Sequence, residues 1–170
     1  MKKLSIVNHQ LSIWLKLSLF GLFLFGCTST LREAGLHKTD FAEINLQGCT
    51  YRLHCPAGEF VPGEPIEFLF SIINETDSLR SFNLNDNRFL YVWLKNPNNQ
   101  IFYKERITAD RFFKEKELTV AGNSSKEFRI SVQPEKNQTD TISSIYCQAQ
   151  LTLLPKGLEA NRLSFYIRRK

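Results

Sequence analysis

Two hydrophobic patterns divide the chain. Between Leu17 and Phe25 nine residues run without a charge, mostly Leu and Phe, whereas from Cys49 onward apolar and polar residues alternate in short segments bounded by turn formers. A period of two marks a strand with one buried face. Cys49, Tyr51, Leu53 and Cys55 share one side of the first segment, and Thr50, Arg52 and His54 share the other. Pro56 and the turn Val61-Pro62-Gly63-Glu64-Pro65 end it, because proline lacks the ladder donor and glycine accepts turn geometry. The next segment turns Ile66, Phe68, Phe70 and Ile72 inward and stops at Asn74-Glu75-Thr76-Asp77-Ser78.

Phe89 to Lys95, FLYVWLK, is apolar on both sides. That pattern predicts a central strand covered on each face, or one whose outer face meets another element, with Trp93 packed between sheets. After the turn Asn96-Pro97-Asn98-Asn99-Gln100, Ile101 to Lys104 returns as a hairpin partner. Residues 105–117 carry no clear period and admit an edge strand, a loop or one or two helical turns. Leu118 to Val120 and the set Phe128, Ile130, Val132 flank Gly122-Asn123-Ser124-Ser125. Ile145, Cys147, Ala149, Leu151 and Leu153 alternate with polar partners, and Leu163, Phe165 and Ile167 form a last inward face. Short strands at regular spacing, with no sustained helical period, predict an all-β fold, a two-sheet antiparallel β-sandwich of seven to eight strands after an N-terminal signal helix, and its layout resembles bacterial immunoglobulin-like domains.

The leader changes where this domain is expected to be. Lys2 and Lys3 precede the apolar run, and Lys16 sits directly before it. A membrane-spanning helix needs about 20 apolar residues, so the run reads as the core of a signal peptide. It ends Leu24-Phe25-Gly26-Cys27, which resembles the lipobox of bacterial lipoproteins, with Phe25 the departure from its usual small residue. The resemblance implies cleavage before Cys27 and lipidation of that cysteine, including a fatty acid such as palmitate on its amine. It also implies a membrane partner, and Thr28 is similar to the position that directs such proteins to the outer membrane. The expected division is then a signal peptide over 1–26, a stalk over 27–47 and the sandwich over 48–170, with Phe41 to Leu46 able to add a strand. In a secreted chain with a simple signal, Asn74, Asn123 and Asn137 would instead be glycan acceptors.

The stretch from Pro62-Gly63-Glu64-Pro65 through Ile66 to Asn74, then Phe89 to Lys95 and Leu118 to Phe128, resembles the BsuPI-type intracellular proteinase inhibitor domain over about residues 60–133. The resemblance implies a sandwich. Tyr103-Lys104-Glu105-Arg106 replaces that family's Trp-Ser-containing stretch, so inhibition is not carried over with it. Asp140-Thr141 to Cys147 is similar to the late strand of antibody domains, but Ile145 stands where those domains have tyrosine.

Charge and chemistry narrow the function further. Three of the 22 bases lie in the leader, which holds no acid, leaving 19 bases against 17 acids. No linear basic stripe with interleaved aromatics occurs, which argues against nucleic acid as a partner. Cys49, Cys55 and Cys147 remain once Cys27 is lipidated. An extended Cys49 to Cys55 spans about 20 Å, against the roughly 7 Å a disulfide allows, so a bridge from Cys55 to Cys147 is favoured over one from Cys49. Three buried thiols are the alternative. His37 falls in the stalk and His54 on an outer face, so no catalytic triad, metal site or cofactor site assembles. Ala109-Asp110-Arg111-Phe112-Phe113-Lys114 is the candidate partner anchor, through Arg111, Phe112 and Phe113. These features predict a lipid-anchored, non-enzymatic envelope protein that binds a protein partner or serves a structural role. The alternative is an enzyme inhibitor using an exposed loop at Arg106 to Glu115.

Overall fold

The computed structural model describes residues 40–155, 157–158 and 161–170. The leader with its expected signal helix, Cys27 and His37 lie outside the described residues. No helix among the described residues is long and apolar enough to cross a membrane.

The fold is an all-β sandwich. In chain order its strands are β1 (Phe41–Leu46), β2 (Cys49–His54), β3 (Glu59–Phe60), β4 (Ile66–Asn74), β5 (Arg80–Asn83), β6 (Arg88–Lys95), β7 (Ile101–Thr108), β8 (Glu117–Val120), β9 (Ser124–Val132), β10 (Ser144–Gln150) and β11 (Arg162–Arg169). One sheet runs β1-β2-β4-β9, the other β3-β11-β10-β6-β7, and β5 pairs with β8 as a short ribbon. All pairings are antiparallel except that of β11 with the two-residue β3. The described strands outnumber the seven or eight expected because β1, β3 and β5 are short or only half-buried, and such strands leave weak alternation. β1 belongs to the first sheet rather than to a stalk: it pairs with β2 along its whole length. Its turn is Gln47-Gly48, with φ of 54° and 76°, the left-handed pair that a two-residue hairpin requires.

Alternation places the core as predicted on most strands. Ile66, Phe68, Phe70 and Ile72 of β4 are buried against Leu163, Phe165 and Ile167 of β11 and Ile145 and Cys147 of β10. Phe68 meets Phe165 edge-on at 6.2 Å between ring centroids, and Phe70 meets Phe89 at 5.4 Å. Such pairs add about 0.5–1.5 kcal/mol each beyond the area they bury.

Strand β6 departs from the expectation. Its pairing with β7 is irregular between Arg88 and Leu90, and the extra residue there lets Phe89 and Leu90 both enter the core. From Leu90 onward the strand alternates, so Val92 and Leu94 face inward while Tyr91, Trp93 and Lys95 face out. Trp93 is therefore not packed between the sheets.

Candidate functional site

The residues expected to bind a partner lie at one end of the sandwich, turned largely into it. After β7 the chain makes a 3-10 turn at Ala109–Arg111, anchored where Asp110 N donates to Asn87 Oδ1 at 2.9 Å. Phe112 then reaches Phe89 at 5.2 Å and Phe128 at 5.5 Å, and Phe113 reaches the same two rings at 5.9 and 5.3 Å. Both phenylalanines are half-buried and close the end of the core. Arg111 pairs with Glu105, which also accepts the Tyr103 hydroxyl proton. Burial and that hydrogen bond push the Tyr103 hydroxyl up to about 12. Residues 105–117 thus contain strand, helical turn and loop in succession, with Phe112 and Phe113 half-buried and Arg111 exposed.

Cys49, Cys55 and Cys147 are present as free, buried thiols, so the expected bridge is not formed in this structure. Burial raises all three pKa values. The proximity of Cys55 adds to the rise at Cys147, whereas Cys49 hydrogen-bonds Tyr51 and lies near Arg80. His54 is on the outer face, as the alternation predicts, with Nε2 3.3 Å from Asp40 Oδ2. Among the described residues no three His, Cys, Asp or Glu side chains converge as a metal site. The clefts near Ser81, Asn83 and Asn85 are open and lined by Glu115, Lys116 and Glu117 or by Asp86, Arg88 and Thr152, without a nucleophile paired to a base.

One surface has a different character. On the outer face of the five-stranded sheet, register puts Arg106, Tyr91, Gln150 and Arg162 in one row across β7, β6, β10 and β11. The next row is Lys104, Trp93, Gln148 and Ser164, and the third includes Lys95, Tyr146 and Tyr166. Arg168 follows one step further along β11. Four aromatic rings and five cations therefore share one face. The rings are grouped in two pairs: Tyr91 with Trp93 at 4.4 Å, and Tyr146 with Tyr166 at 4.7 Å. Each pair carries a cation, with Arg162 Cζ 5.3 Å from the Trp93 ring and Lys95 Nζ 5.6 Å from the Tyr146 ring. Along β11 the outward residues Arg162, Ser164, Tyr166 and Arg168 are all exposed, so this side is open to solvent.

Among the described residues no carboxylate stands in the middle of that face. Glu105 falls on the inward side of β7, opposite buried Val92. Among the described residues the acids stand at its margins, Glu59 opposite Arg168 and Asp86 3.8 Å from Arg88. The outer face of the other sheet mixes signs instead: Arg52 is 2.8 Å from Glu43, and Glu67, Glu127 and Arg129 lie on the neighbouring strands. The sequence hides the cationic aromatic face because its members are contributed by strands spread from Tyr91 to Arg168. The one linear hint is Tyr91-Val92-Trp93-Leu94-Lys95, an outward aromatic-aromatic-cation series at period two.

No family model matches the chain, and no curated protein matches it. Three solved structures illustrate its weak structural likenesses. The C-terminal domain of Wzt has 10% identity and a TM-score of 0.44, over 77% of this chain and 78% of that one. A structural-genomics target, SoR45, has 8% identity and a TM-score of 0.38, over 76% and 81%. The alkylpurine DNA glycosylase AlkC of Pseudomonas fluorescens, solved with DNA containing an abasic-site analogue, has 9% identity and a TM-score of 0.38, over 79% of this chain but 31% of its own length. Likenesses of this size assign neither a family nor an activity.

Proposed function

We propose that this protein is a non-enzymatic binding module of the bacterial cell envelope, tethered by lipid on Cys27, that engages its partner through the outer face of the five-stranded sheet. The observation that carries the reading is the concentration of Tyr91, Trp93, Tyr146 and Tyr166 with five cations on one solvent-facing sheet surface. Aromatic and arginine side chains are the groups that contribute most where surfaces bind, and water already solvates an ordinary outer face with mixed short polar residues. The lipid tether follows from Leu24-Phe25-Gly26-Cys27 behind an apolar run too short to span a bilayer. It places the module in the envelope, with the outer membrane the destination that Thr28 favours.

The inhibitor reading draws less support. It needs a protruding loop, and Phe112 and Phe113 fold back onto Phe89 and Phe128.

Two measurements test the proposal. Cys27→Ser should abolish fatty-acid labelling and release the protein from membranes; continued labelling removes the tether. Purified full-length protein in detergent should co-sediment with lipid-extracted envelope material, and Trp93→Ala/Tyr166→Ala should lose that association while Arg129→Ala, on the opposite sheet, keeps it. Equal sedimentation of all three proteins places the binding surface elsewhere.

A further inference from the structure

We infer that the outer face of the five-stranded sheet binds an acidic polysaccharide, a glycan chain carrying carboxylate or other anionic groups. The inference rests on the reading of that face as the binding surface and names its ligand class.

Charge is the first argument. Lys95, Lys104, Arg106, Arg162 and Arg168 stand at register positions on the outward side of β6, β7 and β11, and among the described residues no carboxylate shares the interior of the face. An anion is complementary to it, and a second copy of the same face is not, because the two would present like charges.

Shape and ring chemistry supply the second argument. The face is an open sheet surface rather than the concave pocket that encloses a small molecule, so it suits an extended polymer. Successive outward rows offer a ring or ring pair, as a sugar chain presents successive apolar C–H faces. Beside Tyr91 and Arg162 lies the half-buried amide of Gln150. A side-chain amide both donates and accepts, which matches hydroxyl groups better than it matches hydrocarbon. Arginine beside an aromatic ring then holds a carboxylate with paired N–H donors while the ring contacts the sugar.

The same features weigh against the other polyanions. Tyr91 and Trp93 are inclined at 58° and Tyr146 and Tyr166 at 43°, so neither pair forms the parallel steps on which successive bases stack. Tyr91, Trp93 and Tyr146 are half-buried, and the exposed Tyr166 and Ile101 stand apart among cations rather than forming one continuous apolar patch for a bilayer.

The test uses purified full-length protein in detergent, titrated with polygalacturonate, its neutral methyl ester, an oligothymidylate of matched charge, and phosphatidylglycerol vesicles. Binding is followed by calorimetry and by quenching of tryptophan fluorescence, with Trp93→Phe identifying the signal of Trp93, since Trp14 leaves with the signal peptide when the chain is cleaved before Cys27. Polygalacturonate should bind saturably and quench Trp93, its methyl ester should bind at least tenfold more weakly, and Arg162→Ala should weaken the acid form about tenfold with an unchanged melting temperature. Tighter binding of the oligothymidylate or the vesicles, still lost in Arg162→Ala, overturns the glycan assignment and keeps the face as the binding surface. Absence of polygalacturonate binding overturns the glycan assignment as well. If polygalacturonate binds Arg162→Ala and Trp93→Ala/Tyr166→Ala as it binds the unaltered protein, the face itself is the wrong surface.

Discussion

The side-chain amide of Asn74, at the end of β4, donates to the main-chain carbonyl of Val120, at the end of β8, across 3.1 Å. The same Nδ2 also reaches the carbonyls of Ser78 at 2.7 Å and Ala121 at 3.0 Å, while Oδ1 accepts from the backbone and hydroxyl of Thr76. One buried side chain thereby satisfies several backbone groups that lie beyond the ladders and pins the β5-β8 ribbon to the first sheet.

Replacing Asn74 by Ala strands those carbonyls, and each buried group left without a partner costs about 1–3 kcal/mol. The variant is expected to lose about 3 kcal/mol in urea denaturation, and Asn74→Asp at least as much, because a carboxylate cannot donate and would be buried. At 1% exposure Asn74 also presents no glycan acceptor in the folded state. Expression in a glycosylating host should leave it bare, as peptide mapping would reveal.

Gly122 is held where no Cβ fits. A methyl group there would stand 2.2 Å from the carbonyl oxygen of Asp77, and both partners are backbone. Gly122→Ala should therefore cost about 2 kcal/mol or more, in the range of overpacked cores. Gly157 provides the contrast. Its φ is +95° but nothing lies within 4 Å of the added atom, so Gly157→Ala should cost only about 1 kcal/mol of backbone strain. Equal losses for the two variants would contradict the close approach of Asp77.

Phe112 and Phe113 test whether the segment after β7 is anchor or core. Full burial of a phenylalanine makes its loss worth about 3–5 kcal/mol; half-buried rings should cost about 2 kcal/mol each on change to Ala, measured by chemical denaturation. Arg111→Ala removes a partly exposed ion pair with Glu105 and should change stability by about 1 kcal/mol or less. An exposed binding anchor would show the reverse, with stability unmoved by either Phe substitution.

Burial raises the thiols of Cys49, Cys55 and Cys147 above their ordinary value of 9.0, and it raises the Tyr51 hydroxyl above 10.0. These groups stay protonated in the folded chain at a pH where the unfolded chain releases its protons. Above about pH 9 the unfolded state binds fewer protons than the native state, so stability falls as pH rises. Below that pH both states are protonated and the groups contribute no slope. Urea midpoints at pH 9, 10 and 11 should decline in order, and Cys147→Ala should flatten the decline. A midpoint that rises over this interval would contradict the burial of these groups.

Oxidation distinguishes the three thiols. Cys55 follows β2 and lies near enough to Cys147 to influence it in the core, whereas Cys49 sits at the other end of β2. Mild oxidation during refolding, followed by non-reducing peptide mapping, should recover Cys55 joined to Cys147. A Cys49 to Cys55 pair would require β2 to bend, which its full pairing with β4 opposes.

The sequence by itself determined the all-β class and the inward set on β2, β4, β9 and β11, because a period of two assigns each side chain to a face without reference to any neighbour. It also placed His54 outward. Only the tertiary structure decided what each face meets. The extra residue at Phe89 shifts β6 so that Trp93 points to solvent, and a bulge depends on the partner strand β7 rather than on local pattern. Phe112 and Phe113 carry no period of their own and owe their burial to Phe89 and Phe128, contributed by distant strands. The cationic aromatic face likewise exists only after β7, β6, β10 and β11 pair, since strand order sets which outward residues become neighbours.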